Sequence, residues 1–328
     1  MSDTKIRIAV VGVGEFGRNH ARIWRESEGA DLVGVMDMDP ARARQVAEEF
    51  GTRVLQDIEA VASEAQAVSL AVPTKEHSRL GCQLLDSGLD VLVEKPIATS
   101  LAEADALIAC AQSGGRILQI GHLERFNPAI VALQGLLRRP LFFEVHRLGI
   151  FAPRSLDIDV VYDLMIHDLD ILLALVDSPV VDARSVGIAV LTDKIDIAHS
   201  RLEFATGAVA NLTASRVSTE RVRKLRFFQE HEYISADYTR QDVLRVRVQQ
   251  DGASFGFEKI ATVNEEPLGA ELRSFLRCVH TRQTPRVNGH AGRRALELAD
   301  RVMDGIHEHG RRISAAAMPQ ANTSPNHQ

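Results

Sequence analysis

The stretch Ile6–Gly17, with the sequence IRIAVVGVGEFG, decides the fold of the first part of the chain. An unbroken apolar run ends at Gly12, and glycine recurs at positions 14 and 17. Gly12 permits a tight turn, Gly14 lets the backbone approach a pyrophosphate, and Gly17 allows close packing of a helix on the strand. A buried strand, a glycine-rich turn and a phosphate-binding helix N-terminus together predict a dinucleotide-binding unit.

An acidic residue follows the glycine loop at the spacing that such units use. Asp37 stands 20 residues after Gly17, at the end of the next apolar run. An acid at that place hydrogen-bonds the adenosine ribose and would repel a 2′-phosphate, so NAD is favoured over NADP. Arg42 and Arg44 follow closely, and either of them could tolerate NADP. The expected cofactor site comprises Gly12, Val13, Gly14, Glu15, Phe16, Gly17, Asp37 and Arg42.

The first 120 residues alternate apolar runs with amphipathic stretches. The apolar runs are Ile6–Val11, Leu32–Met36, Ala67–Val72, Val91–Val93 and Ile117–Ile120. The helix-like segments are Phe16–Ser27, Ala41–Phe50, His77–Ser87 and Leu101–Gln112. Because the apolar runs contain no alternating polar positions, they predict strands buried on both faces of a parallel sheet. We therefore expect an α/β fold that begins with a doubly wound Rossmann domain over residues 1–122.

After residue 122 the pattern changes. Residues around Thr206-Gly207 alternate between apolar and polar types, as do Leu244–Val248, which is typical of antiparallel strands with one core face and one exposed or partner face. Helix-like segments occur at Asn127–Leu137, Val160–Val176, Leu268–His280 and Gly292–Glu308. We expect a substrate-binding and oligomerisation domain over residues 123–312 and a flexible tail over residues 313–328.

Composition excludes several classes of protein. The chain has 328 residues, of which 45% are hydrophobic and 25% charged, enough for a core and about two domains. A net charge of −6 argues against a nucleic-acid partner. No apolar run approaches the roughly 18 residues of a membrane helix, so no membrane partner is expected. The odd, widely spaced cysteines Cys82, Cys110 and Cys278 favour a reducing cytoplasm.

Two segments carry candidate catalytic groups. Lys95 follows the apolar run Val91–Val93, and ligands of open α/β sheets bind at the carboxyl ends of strands. Asp163 and His167 are four residues apart on a helix-like stretch, which suits general acid–base chemistry near neutral pH. The same polar stripe could simply be the solvent face of a helix. A metal site at this pair lacks further ligands at metal-binding spacing, so we expect no metal.

Basic residues cluster over Arg216–Arg226. The five are Arg216, Arg221, Arg223, Lys224 and Arg226. Guanidinium groups match phosphate oxygens in bidentate fashion, so the cluster could bind a diphosphate. A solvated strand face and loop is the other interpretation of this pattern.

With these features the chain resembles the Gfo/Idh/MocA oxidoreductases, the relatives of glucose–fructose oxidoreductase and inositol dehydrogenase. The resemblance runs in order over about residues 5–310. It rests on the glycine loop, Pro73 with His77, Glu94-Lys95-Pro96, the segment Gly121–Pro128, and the Asp163 and His167 pair.

The resemblance implies a second domain with a large, mostly antiparallel sheet whose open face joins subunits into a homodimer or homotetramer. It implies an NAD-dependent dehydrogenase acting on CH–OH groups, with Lys95 and His167 as the catalytic pair and Asp163 beside them. Which of the pair is the base stays open. It further implies that Arg125 lines the substrate pocket and that Pro73, His77 and Glu94 lie near the cofactor. Some members of this fold family only sense the dinucleotide, but such a regulator would be free to lose Lys95 or His167.

One segment departs from the usual family pattern. Many members carry a Gly-Gly-Gly run before the Asp-xxx-His helix, whereas Leu156–Val161 stands in that place here. The string Pro153–Asp170 resembles a narrower branch, the UDP-N-acetylglucosamine 3-dehydrogenases, which oxidise the sugar 3-hydroxyl for amino-sugar (lipid A precursor) synthesis. In that branch Arg154 would contribute to substrate binding. An inositol, another polyol or another sugar is the alternative substrate.

Overall fold

The computed structural model describes residues 5–152, 156–248 and 254–317, which form two sheets. The first sheet is wholly parallel, with the strand order β2-β1-β3-β4-β5. Its strands are β1 (Ile6–Val11), β2 (Ala30–Met36), β3 (Ala67–Leu70), β4 (Asp90–Glu94) and β5 (Leu118–Gly121). The order reverses at β1, as in a doubly wound fold, and the predicted Rossmann sheet is confirmed.

Helices connect these strands. They are α1 (Glu15–Glu26), α2 (Pro40–Phe50), α3 (Ile58–Glu64), α4 (His77–Asp86) and α5 (Leu101–Ser113). Sequence analysis found four of them and missed α3, which has seven residues and is too short for a periodic apolar stripe. Its only local signal is Asp57, whose carboxylate accepts a hydrogen bond from the Ala60 N–H at 2.8 Å and caps the helix.

The second sheet has the strand order β13-β12-β11-β10-β6-β9-β8-β7 within the described residues. The strands are β6 (Phe142–Ile150), β7 (Val180–Ile188), β8 (Ile197–Phe204), β9 (Val209–Ser218), β10 (Val222–Gln229), β11 (Glu232–Asp237), β12 (Asp242–Val248) and β13 (Phe255–Ile260). Adjacent strands pair antiparallel except β6 and β9, which are parallel. The expected large, mostly antiparallel sheet is therefore confirmed, and β8 and β9 form the hairpin predicted at Thr206-Gly207.

One face of this sheet is covered by helices. They are α6 (Pro128–Gln134), α7 (Ile166–Leu175) and α9 (Gly289–Ala317). Their apolar side chains form one core with the inward residues of the strands, including Phe143, Leu212 and Phe227. The helix α9 continues to Ala317, past residue 313, where the flexible tail was expected to begin.

The helix α8 (Pro267–Thr281) packs with the first sheet although it comes late in the chain. Its residues Leu268, Leu272 and Phe275 lie in the same buried cluster as Trp24 and Ile8. The rings of Trp24 and Phe275 have centroids 6.4 Å apart. A segment that the sequence places in the second domain thus completes one side of the first core.

No helix within the described ranges is long and apolar enough to cross a membrane.

Candidate active site

The glycine loop adopts a conformation that requires glycine at two positions. Gly12 has a φ of +84°, and a Cβ atom there would lie 2.6 Å from the carbonyl oxygen of Ala71. A Cβ atom at Gly17 would lie 1.8 Å from the carbonyl oxygen of Gly12. The turn and the first helix are therefore in direct backbone contact, as the sequence predicts.

Gly14 serves the loop in another way. A Cβ atom on Gly14 would have no heavy atom within 4 Å, so this side of the loop faces open space. The helix α1 begins at the next residue and no side chain caps it, which leaves its first amide groups available. Open space beside uncapped, aligned N–H donors fits the pyrophosphate of a dinucleotide.

Asp37 is fixed at the carboxyl end of β2 by two backbone amides. Its carboxylate accepts from the Val13 N–H at 2.8 Å and from the Asp39 N–H at 2.9 Å. The Arg42 guanidinium lies 3.5 Å from the same carboxylate, whose side chain is 6% exposed. A carboxylate accepts about four hydrogen bonds, so Asp37 keeps capacity for ribose hydroxyls while it ties the glycine loop to β2.

Lys95 connects the first sheet to the second domain. It follows β4, and its Nζ donates to the backbone carbonyl of Asp163 at 2.8 Å and lies 3.5 Å from the Asp163 carboxylate. Asp163 belongs to a π-helical turn, Val161–Met165, which precedes α7. Burial lowers the pKa of Lys95, while Asp163 opposes that shift.

His167 is buried on α7, and its Nδ1 has no hydrogen-bond partner among the described residues. Burial, followed by the positive charges of Lys95 and Arg147, lowers the pKa of His167 well below its usual value. The imidazole is therefore neutral at pH 7 and able to accept a proton. The ring of His122 meets it edge-on, with centroids 6.2 Å apart.

A buried ion cluster beneath this pair was missed by sequence analysis. Arg147 on β6 makes a bidentate contact with Asp168, with N–O distances of 2.8 and 2.9 Å, and donates to Glu124 at 3.0 Å. The negative charges of Asp168 and Glu124 raise the pKa of Arg147 against the opposing effect of burial. Arg147 alternates in phase with the core residues Phe143 and Val145, and a charge on a core face is the signal that could have revealed it.

Asp163, which accepts from Lys95, lines a cavity of about 400 Å³. Glu15 at the start of α1 also lines it, as do four arginines, Arg147, Arg216, Arg221 and Arg223. Three members of the basic cluster identified in the sequence therefore face the same space as Asp163. The clustered positive charge favours an anionic ligand.

The other residues expected near the cofactor differ in burial and in their contacts. His77 is buried, and its ring nitrogens lie 2.9 Å from the carbonyl oxygens of Pro96 and Val72, so it joins the segments that follow β3 and β4. Burial lowers the pKa of His77. Glu94 lies 3.1 Å from His20 in the core of the first unit. Pro73 is exposed, and Phe16 is 40% exposed beside the glycine loop.

The structure describes one of the two arginines that were expected to bind the substrate. Arg125 is buried near His122 and pairs with Asp170 at 3.2 Å. It is not among the residues that line the cavity. Its role in substrate binding stays a prediction. Arg154 lies outside the described residues.

Comparison with known proteins gives consistent matches. The Gfo/Idh/MocA oxidoreductase family, NAD-binding Rossmann fold, matches residues 6–122, and the Gfo/Idh/MocA C-terminal domain matches residues 134–234. UDP-N-acetylglucosamine 3-dehydrogenase of Acidithiobacillus ferrooxidans is 39% identical over 303 residues, which cover 90% of this chain and 96% of that protein. A solved structure of that enzyme superposes with a TM-score of 0.88, covering 93% of this chain and 98% of that one at 37% identity. The scyllo-inositol 2-dehydrogenase (NAD(+)) of Bacillus subtilis is 28% identical, with coverage of 86% and 88%.

Proposed function

This chain belongs to the Gfo/Idh/MocA oxidoreductase family, and we propose on that basis that it oxidises the 3-hydroxyl of UDP-N-acetylglucosamine to the 3-keto sugar. It is a dehydrogenase acting on CH–OH groups and uses a nicotinamide dinucleotide. The observation that carries the choice of substrate is the arginine-lined cavity at Asp163, the residue to which Lys95 donates. A nucleotide sugar needs a reactive hydroxyl at a base and a diphosphate at cationic side chains. This cavity offers the cationic side chains, and Asp163, which lines it, contacts Lys95 and lies four residues before His167.

We assign the diphosphate to Arg221 and Arg223. Arg221 has no ion-pair or hydrogen-bond partner among the residues that the structure describes, so its guanidinium is available to an anion. Arg223 has only a 3.5 Å contact with Glu124, which already pairs with Arg147. Bidentate contacts from two guanidinium groups would hold the diphosphate and aim the sugar at Lys95.

The reaction needs a base for the hydroxyl proton and a donor for the oxygen as negative charge develops on it. His167, neutral at pH 7, acts as the base, and the Lys95 ammonium donates to the substrate oxygen. The cofactor, when bound, supplies the hydride acceptor. The imidazolium formed at His167 lies in the field of Lys95 and Arg147, which favours release of the proton after each turnover.

NAD rather than NADP is the proposed cofactor. Asp37 carries negative charge where a 2′-phosphate would lie, and its pair with Arg42 directs that guanidinium toward the carboxylate. The described cofactor loop, with Gly14 facing open space, accommodates the shared pyrophosphate of either dinucleotide. Titrations with both cofactors distinguish them, and tighter binding of NADP would contradict this assignment.

The experiment for the substrate follows NADH formation with UDP-N-acetylglucosamine, free N-acetylglucosamine and myo-inositol. A transaminase with glutamate is included to consume the ketone, since oxidation of a secondary alcohol by NAD is unfavourable at neutral pH. We expect turnover with the nucleotide sugar and little with the free sugar, because binding energy from the remote UDP positions the hydroxyl. Robust NADH formation from myo-inositol, with none from UDP-sugars under the same trap, would favour the polyol alternative.

A variant of the cavity sharpens the substrate assignment. Arg221→Gln should raise KM for UDP-N-acetylglucosamine about tenfold, the usual effect of losing one charge-assisted hydrogen bond. The matched control is Arg201→Gln, an exposed arginine on β8 outside the cavity. Equal KM values in both variants would remove Arg221 from the phosphate site.

We propose a homodimer or homotetramer formed through the open face of the second sheet. Five aromatic and aliphatic side chains lie in register on that face across neighbouring strands, namely Phe142, Phe228, Tyr233, Val246 and Phe257. The Phe228 ring lies 5.8 Å from that of Phe142 and 5.1 Å from that of Tyr233. Phe257 is 72% exposed, and a continuous apolar row of this kind is typical of an interface. Light scattering that finds only a 36.1 kDa species at micromolar concentration would contradict it.

We also propose a cell compartment, from the free thiols, and a following reaction, from the chemistry of the keto product. We propose the reducing cytoplasm, where the free thiols Cys82, Cys110 and Cys278 would persist. The 3-keto product beside an acetamido carbon is a substrate for a transaminase, which fits synthesis of a diamino sugar.

A further inference from the structure

A second cationic cavity lies away from the catalytic one. It has a volume of about 480 Å³ and is formed by α8, the start of α6 and the segment before α9. Three arginines line it, Arg273, Arg277 and Arg286, together with Ser274. It shares no lining residue with the catalytic cavity. Such a concentration of positive charge is notable in a chain whose net charge is −6.

The charges in this cavity are only partly compensated. Glu265 also lines it and forms an ion pair with Arg273. Within the part of the chain that the structure describes, the side chain of Arg277 has no acidic or hydrogen-bonding partner, and the guanidinium of Arg286 makes no hydrogen bond. Two positive charges therefore remain unneutralised by contact with an acid.

Arg286 is the more informative of the two. It is partly buried, and its Nη2 atom is inaccessible to solvent and has no hydrogen-bond partner among the residues that the structure describes. Its guanidinium lies 5.8 Å from the centre of the Phe126 ring, a contact that replaces only part of the lost hydration. Burying an unpaired cation is costly, and a bound anion would relieve that cost.

We propose that this cavity binds a small dianion of the phosphate class, held by Arg277 and Arg286 with the Ser274 hydroxyl as an additional donor. Two uncompensated charges match a dianion, and planar guanidinium groups match its oxygen atoms. Arg286 also interacts electrostatically with Arg125 and Asp170, the ion pair behind His122. An anion at Arg286 therefore changes the electrostatic field at a pair that acts on His122, whose ring meets that of His167.

The test is calorimetric titration of the full chain with inorganic phosphate, in the absence of dinucleotide and sugar and at constant ionic strength. We expect phosphate to bind this cavity with a Kd of about 1 mM or below, and this binding should persist in Arg221→Gln. Arg277→Gln and Arg286→Gln should each weaken binding about tenfold. The matched control is Arg294→Gln, an exposed arginine of α9 that lines neither cavity.

Arg221→Gln separates this site from the catalytic cavity, which also attracts phosphate. Loss of binding in the α8 variants with retention in Arg221→Gln supports the proposal. Loss in Arg221→Gln alone places the phosphate in the catalytic cavity and overturns it, as does a wild-type titration without binding at about 10 mM phosphate. If Arg286→Gln does not fold, the exposed Arg277 still provides the test.

Discussion

The proposed catalytic cavity has two sides that are built in different ways, and we call them the cofactor wall and the substrate wall after their proposed ligands. The cofactor wall consists of short local segments, the loop Gly12–Gly17 and Lys95, each placed by the carboxyl end of one parallel strand. The substrate wall gathers Arg147, Arg216 and Arg223 from β6, β9 and β10, which are neighbours in the sheet but distant in the chain. The first wall depends on backbone shape and the second on paired side-chain charge.

This difference has an energetic meaning. The cofactor wall presents amide groups and open space. Its conformation requires glycine at positions where a Cβ atom would clash with the backbone. The substrate wall rests on Arg147 with Asp168 and Glu124, all nearly inaccessible to solvent. Buried charges are stable only while every partner is present. We therefore expect changes on the first wall to alter binding and changes beneath the second to alter folding.

The largest effect should be a loss of kcat in variants of the proposed catalytic pair. Lys95→Met and His167→Asn should each lower kcat by about 10²–10⁴-fold, the range for a positioned acid–base group, while NAD still binds. Steady-state kinetics and a NAD titration measure the two quantities. The matched control is Lys75→Met, an exposed lysine after β3. A near wild-type kcat would remove the altered residue from the catalytic pair.

Removing Arg147 tests whether the substrate wall depends on charge pairing. Arg147→Met leaves Asp168 and Glu124 buried without their partner, so the free energy of unfolding should fall by about 3–5 kcal/mol. Urea denaturation measures it, and Arg201→Met on β8 provides an exposed control that should change it by less than about 0.5 kcal/mol. If both variants have the same free energy of unfolding, the substrate wall does not depend on the charge pairing of Arg147 for its stability.

Gly17→Ala probes the cofactor wall in the same way. The new methyl group would clash with the Gly12 carbonyl, so the loop must move, at a cost of about 1–3 kcal/mol. We expect that cost to appear mainly as a 10- to 100-fold weaker Kd for NAD, on the order of 1.4 kcal/mol per factor of ten. Titration of NAD alongside urea denaturation separates the two effects. An unchanged Kd with a large loss of stability would show that the loop is a folding element.

The smallest effect concerns Glu271 on α8, behind the cofactor wall. Its carboxyl group has no hydrogen-bond partner among the described residues, and burial, with Glu94 and Asp170, raises its pKa well above the usual 4.5. The protonated form is therefore favoured in the folded state. This contribution to stability is full below pH 4.5 and is lost as the pH rises toward the folded pKa, by at most about 1.4 kcal/mol per pH unit.

Glu271→Gln removes that titration and keeps the shape of the side chain. The stability of the variant relative to wild type should therefore increase from pH 5 to pH 8, as measured by urea denaturation at each pH. Glu297→Gln, on the exposed side of α9, is the control and should leave the pH dependence unchanged. Parallel pH profiles for wild type and Glu271→Gln would show that the carboxyl group is ionised in the folded protein.

Sequence alone predicted the strands, turn and helix that form the cofactor wall, because the information for them is local. The glycine spacing, Asp37 and Lys95 each lie within a few residues of a strand end, and the order of parallel strands follows general rules of handedness and connection. The pairing of Lys95 with Asp163 across the two units also agrees with the expected proximity of these residues.

The side-chain pairing in the substrate wall could not be predicted from the sequence. The alternation of residue types along β6 indicates which face of the sheet Arg147 occupies. The sequence of β6 does not indicate that β9 and β10 are its neighbours in the sheet. The partners Asp168 and Glu124 come from outside the sheet, and the Arg125–Asp170 pair joins residues 45 positions apart. Long-range pairing of this kind depends on tertiary packing, which the period of a single strand does not encode.

The position of α8 has a consequence for synthesis of the protein. Leu268, Leu272 and Phe275 cover part of the first sheet, yet they are translated after every strand of both sheets. A nascent chain that has released only the glycine loop and its strands carries an uncovered apolar surface around Trp24. Domains generally fold as units during elongation, at about 5–20 residues per second. The core of the nucleotide-binding half can therefore close on this side only after α8 has been synthesised, behind the whole second sheet.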